Sequence, residues 1–110
     1  MASDLGNADV QAMARTIKLE WSAAALADLD RFAEFLQNRH PHLASIVAAE
    51  ILAKAGIIQE HPQLGRPIEG RVDYREILLQ VLNATYAFRY GYDGKRLIMM
   101  RVFHSREARE

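Results

Sequence analysis

Two residue types in this chain carry side chains suited to chemistry at neutral pH: four histidines and a C-terminal set of arginines. Histidine titrates near neutrality and serves as acid, base or metal ligand. Arginine's planar guanidinium grips carboxylates and phosphates. His40, His42 and His61 sit beside Pro41 and Pro62, at the ends of apolar periodic segments. No carboxylate cluster accompanies them, so they form no metal motif. The chain has no cysteine, which excludes disulfides and thiolate metal sites. Gly65-Arg66-Pro67 and Gly70 lack the pattern of a glycine-rich phosphate loop, and no Ser-His-Asp arrangement can be argued from spacing. No cofactor or metal is expected. Charge is uneven although the whole chain is neutral: residues 62–110 hold nine Lys/Arg against six Asp/Glu, and residues 1–61 hold five against eight. This is either ordinary scatter or a moderately basic face that meets an acidic partner or a nucleic acid. A dedicated phosphate-backbone binder usually carries a larger excess.

The elements that must position these residues follow from periodicity. Thr16–Trp21 alternates, with Ile17, Leu19 and Trp21 on one side, and reads as a half-buried strand. Ser22 fits a helix N-cap. Leu26, Leu29, Phe32, Ala33 and Leu36 then form a helical stripe, with Asp28, Arg31, Glu34 and Gln37 facing out. His40-Pro41 separates this helix from a second one, about Pro41 to Glu60, whose Ala44, Val47, Ala48, Ile51, Leu52, Ala55 and Ile58 share a broad face. The short connection makes the two an antiparallel hairpin. His61-Pro62 stops the second helix, and Gly65-Arg66-Pro67 continues as a loop. From Tyr74 the period becomes two. A turn near Asn83 and a two-residue turn at Asp93-Gly94 divide the rest into three strands, the last with Ile98, Met100 and Val102 on one face. The order strand, helix, helix, strand, strand, strand makes an α+β domain, a helical hairpin packed on a small, mostly antiparallel sheet.

With 110 residues, half of them hydrophobic, the chain suits one domain with one core. Residues 1–14 show no period and are expected to be a disordered extension, of which residues 1–12 are dispensable for folding, with the domain proper at 15–110. The start has no basic segment followed by an apolar one, and the apolar runs look too short to cross a bilayer, so a cytoplasmic protein is expected.

Five pieces of this pattern resemble the ParE/RelE superfamily of type II toxin–antitoxin and plasmid-stabilisation proteins. They are W-S-x-x-A-x-x-D-L (Trp21 to Leu29), H-P-x-x-G-R-P (His61 to Pro67), Y-R-E-I (Tyr74 to Ile77), Y-A-F-R-Y (Tyr86 to Tyr90) and R-V-F-H-S-R-E (Arg101 to Glu107). None is specific alone; in this order, with these gaps, over roughly residues 16–107, they are together fairly specific.

The resemblance implies a toxin neutralised by a cognate antitoxin, and two alternatives for its action. RelE-type members cut messenger RNA in the ribosome by attack of a 2′-hydroxyl on the neighbouring phosphate, which needs a base, an acid and cations. Arg75 and His104 would then be catalytic, with Arg66 and Arg89 adding phosphate contacts. The same residues have plainer readings: Arg75 as a strand arginine paired to Glu76 or Glu107, His104 as a strand-end histidine bonded to a loop carbonyl, and Tyr86, Phe88 and Tyr90 as sheet packing. Ser105 stands where ribonuclease members often have an aromatic, Leu64 where some have a carboxylate, and strong basicity is missing. The C-terminal style is closer to ParE-type members, which act on DNA gyrase by binding. In that leading expectation Arg66, Arg89, Arg106 and the C-terminal segment contact the target. A small, acidic, partly disordered antitoxin folds around the helical hairpin and the basic sheet edge, in a hetero-oligomer. A third alternative is a relic that keeps only antitoxin binding.

Overall fold

A computed structural model describes residues 17–107, so the expected N-terminal extension lies outside the described residues. Strand β1 (Lys18–Trp21) leads into helix α1 (Ala23–Gln37) and helix α2 (Pro41–Glu60). Strands β2 (Arg66–Ile68), β3 (Arg71–Val81), β4 (Ala84–Tyr92) and β5 (Arg96–His104) follow. The five strands form one sheet in the order β1-β5-β4-β3-β2, antiparallel except for the β1–β5 pair. The hairpin lies across one face; among the described residues no helix packs on the other, here the open face, although its Ala87 and Phe103 are buried. The α+β class and the β-α-α-β-β-β order are as expected, with one addition. Arg66–Ile68 is a short edge strand, not loop: it pairs with β3 around Gly70, whose φ of 78° makes the tight return.

Helix-facing positions build the core. Tyr86, Phe88 and Tyr90 of β4 are buried against Phe32 of α1 and Val47, Ile51, Ala55 and Ile58 of α2. Residues on the last strand depart from simple alternation. Leu97, Met99 and Val102 are fully buried, while Ile98 and Met100 are half-buried. The cause is a β-bulge: Tyr90 pairs with Met99 and Arg89 with Arg101, so Met100 is an extra residue that shifts the phase. Asp93-Gly94 also differs from a two-residue turn. Only Gly94 takes a positive φ, and Asp93 Oδ1 accepts from the amides of both Lys95 and Arg96 at 2.9 Å. Helix α2 is long and apolar enough to cross a membrane by length and composition, contrary to expectation. Within the fold it is a core helix: Ala44, Val47, Ile51, Ala55 and Ile58 are buried, and Ile46, Leu52 and Ile57 remain exposed on its outer side.

The bulge is also where α1 is fastened to the sheet. Ser22 caps α1, its Oγ accepting from Ala25 N–H at 3.0 Å and donating to the carbonyl of the bulged Met100 at 2.9 Å. Strand β1 pairs with β5 only as far as Met99, so the next edge amide, Val102 N–H, has no strand partner. Asp28 takes it at 2.8 Å. The same carboxylate accepts from Arg101 Nε (2.9 Å) and Nη2 (3.0 Å) and from Arg31 Nη1 (2.7 Å). Asp28 is therefore not on the outer face of α1 but buried, 1% exposed, whereas Leu26 is half exposed.

Burial pushes the Asp28 carboxyl up, but the hydrogen bonds from Arg101, Arg31 and Val102 outweigh it and hold the group below the ordinary aspartate range. A depressed folded pKa gives stabilisation that is complete above the unfolded value, about 4, and disappears as pH falls through the folded value. Removing the carboxylate with Asp28→Ala strands Arg101 and the Val102 amide and should cost ~3–5 kcal/mol, as when one member of a buried ion pair is lost. Urea unfolding from pH 7 to pH 2 should show wild-type stability falling below about pH 4, with that part of the acid limb missing in Asp28→Asn. A cost under ~1 kcal/mol at neutral pH would show that the carboxylate is dispensable.

Candidate functional site

Cross-strand register places two of the candidate arginines, Arg66 and Arg89, on the open face. Arg66 of β2 stands opposite Glu76 of β3, Glu76 opposite Arg89 of β4, and Arg89 opposite Arg101 of β5. Residues directly opposite share a face, so these four form one row across four strands, roughly 14 Å long at the usual strand spacing. Arg89 Nε donates to Glu76 Oε2 at 2.6 Å, with both side chains partly exposed. Arg101 is 40% exposed at its side chain while bonding Asp28. Between the last two arginines lies Phe103, its ring 5.3 Å from the Arg89 guanidinium carbon and 4.6 Å from that of Arg101, a cation–π arrangement on both.

Beside the row, Tyr74 lies over Gly91, where a β-carbon would come within 3.2 Å of the tyrosine ring. Arg71 packs on that ring at 5.2 Å. Ile68, Arg71, Tyr74, Arg89, Met100 and Arg101 line a shallow concavity of about 220 Å³. On the other side of the row Leu78 is 58% exposed. The surface therefore presents guanidinium groups interleaved with apolar side chains, suited to an acidic partner that also carries apolar contacts.

The remaining candidates lie elsewhere. Arg75 stands opposite Tyr90, on the helix-facing side. It pairs with neither Glu76 nor Glu107; its Nη1 donates to the carbonyls of Gly65 (2.7 Å) and Gln63 (3.3 Å). Tyr90 completes the clamp on this loop: its hydroxyl donates to Pro62 O at 2.7 Å and accepts from Gly65 N–H at 2.9 Å. Burial pushes the Tyr90 phenol up, keeping the proton it donates. Position 65 must be glycine, because a β-carbon there would stand 2.6 Å from the Tyr90 hydroxyl. The H-P-x-x-G-R-P piece is thus a pinned loop that hands Arg66 to the open face.

His104 ends β5. Its ring packs edge-on against Tyr86 at 5.1 Å, its Nδ1 accepts from Arg106 N–H at 3.0 Å, and its own N–H donates to Glu107 Oε1 at 2.7 Å. Among the described residues no loop carbonyl is bonded to the imidazole; a backbone amide is. Glu107 also accepts from Arg31 Nε at 2.9 Å, which ties the chain's last turn to α1. His104 pairs with Tyr86 and Arg75 with Tyr90, on opposite sides of β4 and four residues apart along it. Their Cα atoms are thus roughly 16 Å apart, and the Arg75 guanidinium is turned to the carbonyls of the loop. Arg106 is exposed in the last turn, beyond the row.

Sequence reasoning missed Asp28, Glu76, Arg101 and Phe103 as site components. One signal was present: Asp28 keeps helical spacing with Ala25 and Phe32, the two other buried positions of α1.

The model of the family described as the ParE toxin of the type II toxin–antitoxin system, parDE, matches residues 19–109. Among solved structures, a chain of the chromosomal ParDE TA system from P. aeruginosa is similar at 22% identity and a TM-score of 0.67, over 82% of this chain and 97% of that one. A YoeB/ParE toxin from Agrobacterium tumefaciens is similar at 18% identity and a TM-score of 0.50, over 80% of this chain and 98% of that one. Both likenesses concern the fold. No curated protein sequence matches.

The loop clamp gives a direct expectation. Tyr90→Phe leaves Pro62 O and Gly65 N–H without their partner in a buried setting and should cost ~1–3 kcal/mol. Heat denaturation of the variant measures it. An unchanged midpoint would mean that Arg75 alone holds the loop.

Proposed function

This chain belongs to the ParE toxin family of type II toxin–antitoxin systems, and from that premise we propose that it is a cytoplasmic toxin that stops growth by binding DNA gyrase through the open face of its sheet. As a type II toxin of a ParDE-type system it has a cognate antitoxin as partner. In the proposed action Arg66 and Arg89 contact the target, joined by Arg101 in the same row, with Arg106 and the last turn at the margin. The observation that carries this reading is the row itself: Arg66 and Arg89, two of the candidate cations, lie with Arg101 on one face with apolar neighbours. The ribonuclease candidates do not gather. Arg75 is spent on loop carbonyls, and His104 lies roughly 16 Å away on the far side of β4. A 2′-hydroxyl attack needs base, acid and phosphate ligand within hydrogen-bond reach of one substrate, and the separation of this pair supports the binding reading over the enzymatic one.

Purified chain should inhibit gyrase supercoiling in a mixture without ribosomes, and added antitoxin should relieve it. Arg66→Ala or Arg89→Ala should weaken inhibition by ~1–3 kcal/mol of binding, spread over the surface as for other interfaces. Arg75→Ala should act through stability and not through a lost chemical step. Cleavage of mRNA within programmed ribosomes, abolished by His104→Ala with the fold intact, would replace this reading with the enzymatic one.

A further inference from the structure

The open-face row contains one residue of the wrong sign for a purely cationic surface. Glu76 stands between Arg66 and Arg89, and its carboxylate holds Arg89 Nε at 2.6 Å. Both partners are partly open to solvent, 32% for the arginine side chain and 25% for the glutamate. An exposed pair of this kind contributes little to stability. The Arg89 guanidinium also stacks on Phe103, on which Arg101, itself bonded to the buried Asp28, stacks as well. The row is thus a preformed anion site in which the chain's own carboxylate sits.

We propose that Glu76 is an internal stand-in for a carboxylate of the cognate antitoxin, and that an acidic segment of that antitoxin neutralises the toxin by displacing Glu76 from Arg89 on the face that meets the target. The chemistry around the site selects a peptide. Leu78 is 58% exposed on one side of the row, and Met100, Ile68 and the Tyr74 ring line the concavity on the other. A segment with carboxylates beside aliphatic side chains satisfies both the cations and the apolar flanks. A nucleic acid would satisfy the cations and leave the apolar flanks without a partner. The claim that the target uses this same face rests on the function proposed above; the antitoxin contact does not.

The experiment titrates purified full-length antitoxin into the purified chain by calorimetry, with no gyrase present. Glu76→Gln removes the competing charge and keeps the shape, so it should bind antitoxin ~2–5-fold more tightly than wild type, the range expected for relieving an exposed pair. Arg89→Gln should weaken binding about tenfold or more, and Leu78→Asp should weaken it as well. The gain from Glu76→Gln should disappear when Arg89→Gln is present, which a merely structural role for Glu76 would not produce. Unchanged or weaker binding by a folded Glu76→Gln overturns the proposal, as does a gain that persists without Arg89. Tighter binding of a single-stranded oligonucleotide, with antitoxin affinity unmoved, also overturns it. Should Glu76→Gln fail to fold, Glu76→Ala, which also removes the charge, is read by the same outcomes. If gyrase inhibition is absent while this titration behaves as stated, the target reading fails and the antitoxin contact stands.

Discussion

A carboxylate cut off from water must have its charge met by hydrogen bonds, and the fold is arranged around one that does. Asp28 faces four donors: Val102 N–H, two nitrogens of Arg101 and one of Arg31. Each answers a separate geometric need. The Val102 amide is exposed to α1 because β1 ends at Trp21, and the bulge at Met100 displaces the strand where the edge opens. The Arg101 guanidinium is drawn toward α1 and yet remains over Phe103, so the helix layer and the open face are joined through one side chain. Arg31 continues the connection to Glu107, which in turn caps His104. Helix position, bulge, last turn and open-face cations are therefore parts of one hydrogen-bonded network. Such a network gives a unique arrangement only when every member is satisfied, and among the described residues no buried side-chain polar atom lacks a partner.

That constraint sorts the two faces of the sheet. The helix side is filled by Tyr86, Phe88, Tyr90, Leu97, Met99 and Val102. The polar ends of its aromatics serve structure, since the Tyr90 hydroxyl and the Arg75 guanidinium fix the loop that precedes β2. With those groups committed, the accessible charge collects on the opposite face. A shallow surface carrying stacked guanidinium groups is suited to recognition by contact, where binding is shared among several side chains. Bond-breaking chemistry asks for convergent groups about one atom, and the arrangement here is a row.

Much of this was legible in the sequence, for physical reasons that differ by element. The helical hairpin and the β3–β4 pair follow from periodicity, because burial on one face imposes it. Ser22 as a cap follows from its hydroxyl at the strand–helix junction. The short β2 was hidden: Arg66-Pro67-Ile68 has no length over which alternation could show, and Pro67 argues for an edge or a loop. The bulge was hidden as well, since Ile98, Met100 and Val102 alternate as well in the sequence as Leu97 and Met99 do, and only the register to β4 decides between them. Asp28 was misplaced because a charged residue on an amphipathic helix is ordinarily on the wet side; its burial depends on donors more than 70 residues away. The candidate site was half legible. Arg66 and Arg89 are recognisable as cations in the matched pieces, but Glu76 and Arg101 join them only through cross-strand register, which no local pattern carries.

The central claim is that this surface works by contact through the arginine row. The most direct measurement is the affinity of the chain for purified gyrase, taken across single glutamine substitutions at Arg66, Arg89 and the marginal Arg106 and at the outer-helix residue Leu52, each checked for an unchanged fold. The account predicts losses at the three arginines, each about fivefold or more, and wild-type affinity for Leu52→Gln. Equal affinity for all four variants, or loss confined to Leu52→Gln, would contradict it and move the working surface to the helices.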